Sequence, residues 1–492
     1  MKFDCGPSDS LLVQVAGYEN KSGDTRDYYN PAQASRTLRF QENQEPNVYA
    51  GWHHEWGPGS RTLFLAARLV DEVSQDDPAA GIPVIARSGS GTPTFGAVLT
   101  PFGQTYSSRL EGYSVEAQHI LKTGRNTLIV GARFQDAEVH SSSRQYYDPL
   151  NFPPLFFGTA NPALSFAGQR PDSALRRVNG YVYDTVEVAE SFHLLGGLAY
   201  ESVDSPANAD LPPLSGGEQR VDQWSPKAGF AWRITEANDL RGMYARSLGG
   251  TYYESSIRLE PAQLLGFPQA YRSTIPESVV GPVPGTSMDI AALEWTHRSP
   301  TRTFVSVRAE GLWSDADRNV GSFDYFPPAA AAQLKQSLDY QEVSLTVAAD
   351  QLIGAGGVVG IRYRVSEARL DESLTDLPAS LPTDGSLSIR QNVKGLLQTL
   401  DLHAAYTHSQ GWYVGANATL YAQDNDGYTP GLRGDTFWQC NLNAGWWLYR
   451  RKARLQLDLL NLTDQDYRLN PLNLHASLPR ERTLVVSFKV SL

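Results

Sequence analysis

The chain has 492 residues, a net charge of −11 and 19% charged residues, which is below the roughly 25% of an average soluble domain. The acidic balance argues against nucleic acid as a partner. A mean hydropathy of −0.35, with no uncharged apolar run of about 18 residues, excludes a helical membrane protein.

Apolar and polar residues alternate with a period of two in one segment after another, beginning at Leu11–Tyr18. From Val48 to Trp56 the even positions are mainly apolar, Gly57-Pro58-Gly59-Ser60 is a turn sequence, and the alternation resumes from Leu63 to Leu69. Alternation of this kind predicts strands, and the turn residues predict a hairpin. The same unit recurs at residues 113–134, 178–200, 224–248, 293–313, 343–365, 396–420 and 438–459.

The end of the chain follows the same pattern. Leu455, Leu457 and Leu459 alternate with polar residues, and apolar side chains from Leu484 to Leu492 share one face of a last strand. A strand with one apolar and one polar face is typical of a sheet that has a different solvent on each side. Because termini usually fray, an apolar last strand favours a closed barrel, in which that strand has a partner on each side.

We count about eighteen strands, joined alternately by tight turns and long loops. Short periplasmic turns and long extracellular loops are typical of an outer-membrane barrel. We therefore predict an all-β fold, a transmembrane antiparallel up-and-down β-barrel. The long loops are predicted near residues 19–46, 73–104, 140–173, 205–221, 249–284, 317–336, 371–390, 426–434 and 466–479.

Several sequence runs resemble TonB-dependent outer-membrane receptors. The strongest are Asn461-Leu462-Thr463-Asp464-Gln465-Asp466-Tyr467-Arg468 and Arg480-Glu481-Arg482-Thr483-Leu484, which resemble the penultimate and final strands of that family. Residues 224–230 and 244–250 look like mid-barrel strands, and Arg258-Leu259-Glu260-Pro261 is similar to a receptor loop.

This resemblance implies that residues 1–492 are an outer-membrane barrel domain, truncated at its N-terminus, with about 18 of about 22 strands present and the plug missing. No signal peptide begins at Met1, which agrees with a fragment. The implied function is energised uptake of a scarce nutrient, such as a metal–siderophore complex, across the bacterial outer membrane. The implied partners are outer-membrane lipid, a plug domain, the TonB complex and a small-molecule ligand, bound by a monomer.

Two sets of side chains are candidates for ligand contact. Aromatic residues in the long loops lie where no membrane reaches, and they either pack the loops together or form a ligand platform. These loop residues are Tyr146, Tyr147, Phe156, Phe157, Tyr252, Tyr253, Phe323, Tyr325 and Phe326. Polar side chains on strands are expected to face the lumen. Three roles are possible for them there: contact with solvent, contact with the plug and contact with the ligand. These lumen residues are Glu116, Arg133, Arg308, Glu310, Arg362 and Arg364.

No constellation of catalytic residues emerges from the sequence, so we predict no enzyme activity, no cofactor and no metal site. His53 and His54 are adjacent in a strand and therefore point to opposite faces. Tryptophans on the apolar faces are expected to form an interfacial girdle. The main alternative function is a plugless porin-like channel, and a soluble array of β-sandwiches is a third possibility. Cys5 and Cys440 can pair or stay free.

Overall fold

A computed structural model of the chain describes residues 1–87, 93–146, 168–249, 257–270, 275–281, 283–325, 330–383, 385–448 and 452–490. Its strands are β1 (Lys2–Asp4), β2 (Asp9–Ser22), β3 (Arg39–Gly57), β4 (Ser60–Arg87), β5 (Pro93–Thr123), β6 (Asn126–Tyr146), β7 (Gly168–Gln169), β8 (Asp172–Ala189), β9 (Phe192–Asn208), β10 (Ser215–Thr235), β11 (Asn238–Gly249), β12 (Gln263–Leu264), β13 (Phe267–Pro268), β14 (Thr286–Arg298), β15 (Thr303–Tyr325), β16 (Ala330–Ile353), β17 (Gly357–Leu374), β18 (Arg390–Thr407), β19 (Trp412–Asp426), β20 (Thr436–Leu448), β21 (Ala453–Leu460) and β22 (Thr483–Val490).

Two short helices complete the elements, a 3₁₀ turn at Thr25–Tyr28 and α1 at Glu277–Val280. Within the described ranges, no helix has the length and apolar character needed to span a membrane. Cys5 and Cys440 are both free thiols.

The long strands form one antiparallel sheet in which each strand pairs with its neighbours in chain order. In the described part of the chain, eighteen strands are eight residues or longer. They coincide with the alternating segments, so the all-β up-and-down prediction is confirmed. The sheet also curls round on itself, because β4 and β15, which are far apart in strand order, pair in parallel through Val84–Ala86 and Phe323–Tyr325. The concave side of this wall encloses a lumen.

Several strands are longer than the sequence pattern predicts. β4 has 28 residues and β5 has 31, so most of the predicted loop at 73–104 is a paired hairpin. The predicted loop at 317–336 likewise lies largely within β15 and β16. Those two loop predictions are wrong in extent. The reason is that alternation disappears where both faces of a strand are polar or packed, whereas backbone pairing between the strands continues.

The two faces of the sheet differ as expected for a wall between two solvents. On β22, Leu484, Val486 and Phe488 are 63–66% exposed and point outward. Trp224 and Trp232 on β10 lie eight residues apart on the outer face, as do Trp438 and Trp446 on β20. Eight residues of strand span about 26 Å, close to the height of an outer-membrane apolar band. The spacing agrees with two girdles of aromatic residues.

The sheet has two edges. Among the described residues, β22 pairs only with β21 and β1 pairs only with β2. The expectation that the last strand has a partner on each side is therefore not met in this arrangement. We call the end of the barrel with tight turns the turn end, and the end with long connections the loop end.

Candidate functional site in the lumen and at the loop end

Two connections from the loop end fold back into the lumen. The first lumen segment, residues 257–270, lies between β11 and α1 and contains the short hairpin β12–β13. The second lumen segment, residues 467–478, lies between β21 and β22. Their contacts with inward-facing side chains of the wall define the inside of the barrel.

Glu116 of β5 holds the backbone of the first lumen segment. Its carboxylate accepts hydrogen bonds from the backbone N–H of Leu259 at 2.8 Å and of Glu260 at 2.9 Å. The Tyr181 hydroxyl donates to the same carboxylate at 2.8 Å, and Gln118 Nε2 donates to the Leu259 carbonyl at 2.7 Å. Glu116 is only 2% exposed. A buried carboxylate with several donors has its hydrogen-bonding capacity filled, and the positions of those donors select the backbone segment that it binds.

Glu260 of the segment in turn binds the wall. The Tyr183 hydroxyl donates to one carboxylate oxygen, and Asn179 Nδ2 donates to the other at 3.4 Å. Burial raises the pKa of Glu260, while the positive charge of Lys227 acts in the opposite direction. The Leu-Glu-Pro run is thus anchored by its backbone to β5 and by its side chain to β8.

The tip of the hairpin β12–β13 is an apolar anchor. Leu264 and Phe267 are at most 2% exposed and pack with residues of β8, β11 and β15. The guanidinium groups of Arg241 and Arg308 lie 5.1 Å and 4.9 Å from the centroid of the Phe267 ring. Gly266 has a φ of 88°, and a Cβ there would lie 2.2 Å from Arg241 Nη1. Glycine therefore permits both the tight turn and the close approach of the arginine.

The second lumen segment is bound on the opposite wall by a similar arrangement. Glu342 of β16 accepts a hydrogen bond from the Leu474 backbone N–H at 2.9 Å, and the Tyr340 hydroxyl donates to Glu342 at 2.9 Å. Arg364 of β17 donates to Glu342 at 3.0 Å and to the Leu474 carbonyl at 3.0 Å. The side chain of Leu474 packs against the cluster that contains Phe267, so the two segments meet in the lumen.

Amide side chains fix the rest of the second segment. Asn473 Nδ2 donates to backbone carbonyls of Ser366 at 3.1 Å and of Gly395 at 3.0 Å, and Gln423 exchanges two 2.8 Å hydrogen bonds with the backbone of Asn470. Burial lowers the pKa of the adjacent His475 imidazole.

A cavity of about 520 Å³ opens beside this segment. Arg480 borders it, with its guanidinium 4.1 Å from the ring centroid of Tyr28 and 4.4 Å from that of Tyr467. The combination of aromatic faces and a cation is suited to an anionic aromatic group.

The loop end is covered by the hairpin of β4 and β5. Beyond the parallel pairing with β15, Arg87 forms an ion pair with Asp324 at 2.6 Å. Phe102 and Phe323 are buried, with ring centroids 5.2 Å apart. They belong to an apolar cluster that we call the mouth cluster. Its members are Ile82, Val84, Val98, Phe102 and Phe323.

Two loops complete the cover. The Ala97 N–H donates to the Pro382 carbonyl at 3.0 Å, and the Leu99 N–H donates to Ser386 Oγ at 2.9 Å. In the loop after β9, the Leu211 carbonyl accepts from the Gly321 N–H at 3.0 Å, and Asn208 binds Gln333 at 2.7 Å. The path through the barrel is therefore obstructed at two levels, the loop end and the lumen.

The predicted lumen residues divide into two groups. Glu116, Arg308 and Arg364 contact the lumen segments directly. Arg133 is 5% exposed and donates to Ser114 at 3.3 Å. Glu310 forms an ion pair with Arg308 at 3.1 Å, and Arg362 is exposed opposite Asp401 of β18.

The structure also places the predicted loop aromatics in different environments. The Tyr146 ring covers Gly103, where a Cβ would lie 2.0 Å from it. Phe323 is 1% exposed in the mouth cluster, and Tyr325 packs against that cluster. The remaining candidates, Tyr147, Phe156, Phe157, Tyr252, Tyr253 and Phe326, lie outside the described residues.

Sequence reasoning missed the residues that hold the lumen segments from the wall. Tyr181, Tyr183, Tyr340 and Glu342 lie on inward faces of strands and are at most 3% exposed. An available signal was the position of each tyrosine on the polar face of its strand, where an apolar ring needs a packing partner inside the lumen.

Comparison with known proteins identifies the family. A family model described as "TonB dependent receptor-like, beta-barrel" matches residues 7–264, which is more than half of the chain. No curated protein sequence matches the chain.

Solved structures of outer-membrane receptors share the fold. The chain is similar to the copper transporter OprC (11% identity, TM-score 0.54, covering 99% of this chain and 71% of that one). It is also similar to the FrpB iron transporter of Neisseria meningitidis (11% identity, TM-score 0.55, 94% and 65%). A third is the ferric-catecholate import receptor Fiu of E. coli K12 (14% identity, TM-score 0.51, 99% and 73%).

The chain spans 71%, 65% and 73% of the length of these three receptor structures. At 11–14% identity, these matches concern the fold alone. The match to the family model goes further, and with the eighteen-stranded wall it shows that this chain belongs to the TonB-dependent receptor-like β-barrel family, whose members are transporters of the bacterial outer membrane and not enzymes.

Proposed function

We propose that this chain forms the barrel of a receptor that takes up a scarce nutrient across the outer membrane with energy supplied by the TonB complex. The observation that carries this proposal is the obstruction of the barrel at two levels by its own segments. A wide passive pore requires an open lumen, whereas an energised receptor stays closed until a ligand is committed to transport. The obstruction therefore favours the receptor over a porin-like channel.

The proposed nutrient is a metal–siderophore complex. Structurally similar proteins include an iron transporter and a ferric-catecholate import receptor. The cavity beside the second lumen segment supports this choice, since Arg480 between the rings of Tyr28 and Tyr467 suits an anionic aromatic chelator. Ligand contact at the loop end by Tyr146, Tyr325 and the other loop aromatics stays a prediction.

The outer face and the free edges of the barrel wall indicate the proposed partners. Outward-facing leucines and tryptophans contact outer-membrane lipid, and the receptor is a monomer because all strands of this wall come from one chain. We further propose that a plug and additional strands of the intact receptor complete the barrel between β22 and β1. The free edges of those strands and the greater length of the matched receptors support this proposal.

Uptake of radiolabelled iron bound to a catecholate siderophore tests the function in cells that express the full-length protein. We expect uptake that disappears when the TonB complex is absent. Uptake that is indifferent to the TonB complex, together with a large constant conductance in planar bilayers, would instead establish the porin-like channel.

The Arg480→Ala variant tests the cavity, with Arg482→Ala as the matched control, because Arg482 is exposed and lies outside the cavity lining. We expect weaker binding of the ferric catecholate by R480A only. Equal binding by R480A and the wild type would remove this cavity from the proposed ligand site.

A further inference from the structure

A carboxylate lies on the lipid-facing side of the wall. Asp184 of β8 follows Tyr183, whose ring is buried inside the barrel, so the Asp184 side chain points outward. Its outward neighbours along the strand are Val182 and Val186, and the residue opposite it on β6 is Leu128. A carboxylate in such apolar surroundings at a membrane surface is costly, and ionisable groups within membrane segments usually have a function. Asp184 therefore marks a candidate site on the outside of the barrel.

The depth of Asp184 places it close to the headgroups of the periplasmic leaflet. Asp184 is five residues from Ala189, where β8 ends at the turn end, and the girdle residue Trp232 is three residues from Thr235, where β10 ends. Two residues along a tilted strand correspond to about 5 Å of depth. Aromatic girdles lie at the level of the lipid headgroups. The carboxylate is thus just below the headgroups.

The chain itself gives this carboxylate few partners. Among the described residues its hydrogen-bond donor is Asn126, whose Nδ2 lies 3.4 Å from Oδ2, and Oδ1 is buried without a donor. No cation in the described ranges forms an ion pair with Asp184. Asp136, which points outward from the neighbouring strand β6, is instead paired with Arg176 at 3.0 Å. Asp184 therefore lacks the cation that its neighbour on the same face has.

An apolar groove of about 700 Å³, which we call the outer groove, begins at Asp184. The small residues Gly196 and Ala228, which stand in register with Asp184 on β9 and β10, form its floor. A Cβ added at Gly196 would have no atom within 4 Å, so the groove is open above it. Larger apolar and aromatic side chains line the rest of the groove, namely Val186, Leu194, Phe230, Tyr244 and Leu293. The outer groove thus combines a carboxylate at one end with an apolar trough that faces the hydrocarbon.

We propose that the outer groove binds a phospholipid whose headgroup carries a primary ammonium group, with the ammonium on the Asp184 carboxylate and an acyl chain in the groove. Charge complementarity selects this lipid. A primary ammonium offers a positive charge and three N–H donors, as a lysine side chain does. A quaternary ammonium has no N–H to donate, and an anionic headgroup is repelled by the carboxylate. The site lies outside the lumen, so it depends neither on the plug nor on the nutrient that is carried.

Photo-crosslinking tests the headgroup. The full-length protein is reconstituted in vesicles of dioleoyl-phosphatidylcholine that contain a trace of phosphatidylethanolamine with a diazirine in one acyl chain, and mass spectrometry locates the labelled peptides. We expect labelling of residues 192–198 and 228–232 to fall about tenfold in Asp184→Asn, because the amide keeps the shape of the side chain but loses the charge that pairs with the ammonium. The matched control is Asp136→Asn, since Asp136 also points outward but has Arg176 as its partner. We expect D136N to be labelled like the wild type.

Two results of this experiment would overturn the proposal. One is equal labelling of D184N and the wild type, with folding of both verified by heat-modifiable gel mobility. The other is equally strong labelling of the same wild-type peptides by a phosphatidylcholine with the same diazirine, because the groove would then select an acyl chain and not a headgroup.

A second variant tests the groove and leaves the carboxylate in place. Gly196→Leu adds a side chain where the space is open, so it should exclude the acyl chain and lower the labelling of residues 228–232 about tenfold. The matched control is Gly180→Leu, because a Cβ at Gly180 also meets no atom within 4 Å and Gly180 lies outside the groove lining. We expect G180L to be labelled like the wild type. Labelling of G196L at the wild-type level would place the lipid elsewhere and overturn the proposal.

Discussion

At the scale of single residues, the lumen shows how a barrel interior can bury carboxylates without pairing each with a cation. Glu116, Glu260 and Glu342 each accept a hydrogen bond from a tyrosine hydroxyl of the wall. The three tyrosines are Tyr181, Tyr183 and Tyr340. Burial of an unsatisfied carboxylate is costly, so these hydroxyls and backbone N–H groups make the interior arrangement specific.

The Tyr340 hydroxyl should contribute measurably to stability. It donates to Glu342, and it also lies 2.8 Å from the Leu472 carbonyl oxygen. We expect Tyr340→Phe to lower the free energy of unfolding by about 1–3 kcal/mol, because Glu342 loses one of its buried donors and the Leu472 carbonyl loses its contact with the hydroxyl. Urea unfolding in detergent measures this change. Tyr363→Phe is the control, since that side chain is 39% exposed and should change stability by less than about 0.5 kcal/mol. Equal losses in both variants would contradict the assignment.

Glu260 should make stability depend on pH. Its folded-state pKa is raised above the ordinary value of 4.5, so the folded protein binds more protons than the unfolded chain just above that value. The stability contributed by docking is then complete below 4.5 and falls as pH rises toward the raised pKa, by no more than about 1.4 kcal/mol per pH unit.

Thermal unfolding across this pH range measures the slope. We expect Glu260→Gln to have a shallower slope than the wild type, whereas Glu138→Gln should keep the wild-type slope, because the Glu138 side chain is 80% exposed. A slope that is unchanged in E260Q would show that another group titrates.

At the scale of elements, paired strands continue beyond the membrane and meet over the loop end. The hairpin of β4 and β5 is held there by the mouth cluster and by the Arg87–Asp324 ion pair. Apolar packing should dominate, because an ion pair that is partly exposed contributes little.

Phe323→Ala should release this hairpin. Truncation of a buried phenylalanine typically costs about 3–5 kcal/mol, and here the loss falls on contacts between β4, β5 and β15. We expect faster amide hydrogen exchange at residues 82–87 and 97–102. Phe304→Ala on the same strand is the control, since Phe304 is 39% exposed on the outer face. Unchanged exchange in F323A would mean that other contacts hold the cover.

At the scale of the whole molecule, the wall separates lipid from an aqueous, segment-filled interior. An outward charge should therefore destabilise the barrel according to its depth in the bilayer. Leu345 lies within β16 eight residues from Ile353, which ends the strand beside the tight turn, and both side chains point outward.

We expect Leu345→Arg to cost about 2–4 kcal/mol and Ile353→Arg about 0–1 kcal/mol in lipid. Unfolding of the reconstituted protein by guanidinium measures both changes. Equal costs for the two variants would contradict the placement of the apolar band.

Local patterns in the sequence were sufficient to predict the strands of the barrel wall. The outer face meets hydrocarbon and the inner face meets polar groups, so side chains such as Leu345 and Glu342 must alternate with a period of two, and this period is visible in the sequence. The same alternation is enough to predict that Glu116 and Arg364 lie on the inner face. It failed at residues 73–104, where the strands leave the membrane and the contrast between the two faces is lost.

The amino-acid sequence by itself therefore determined the strands, their two faces and the family. Only the tertiary structure decided what fills the barrel. The bonds from Glu116 to Leu259 and from Glu342 to Leu474 join residues more than 100 positions apart. Contacts at such separations leave no periodic signal in either segment, because they depend on how the whole sheet curves and brings its loops inward.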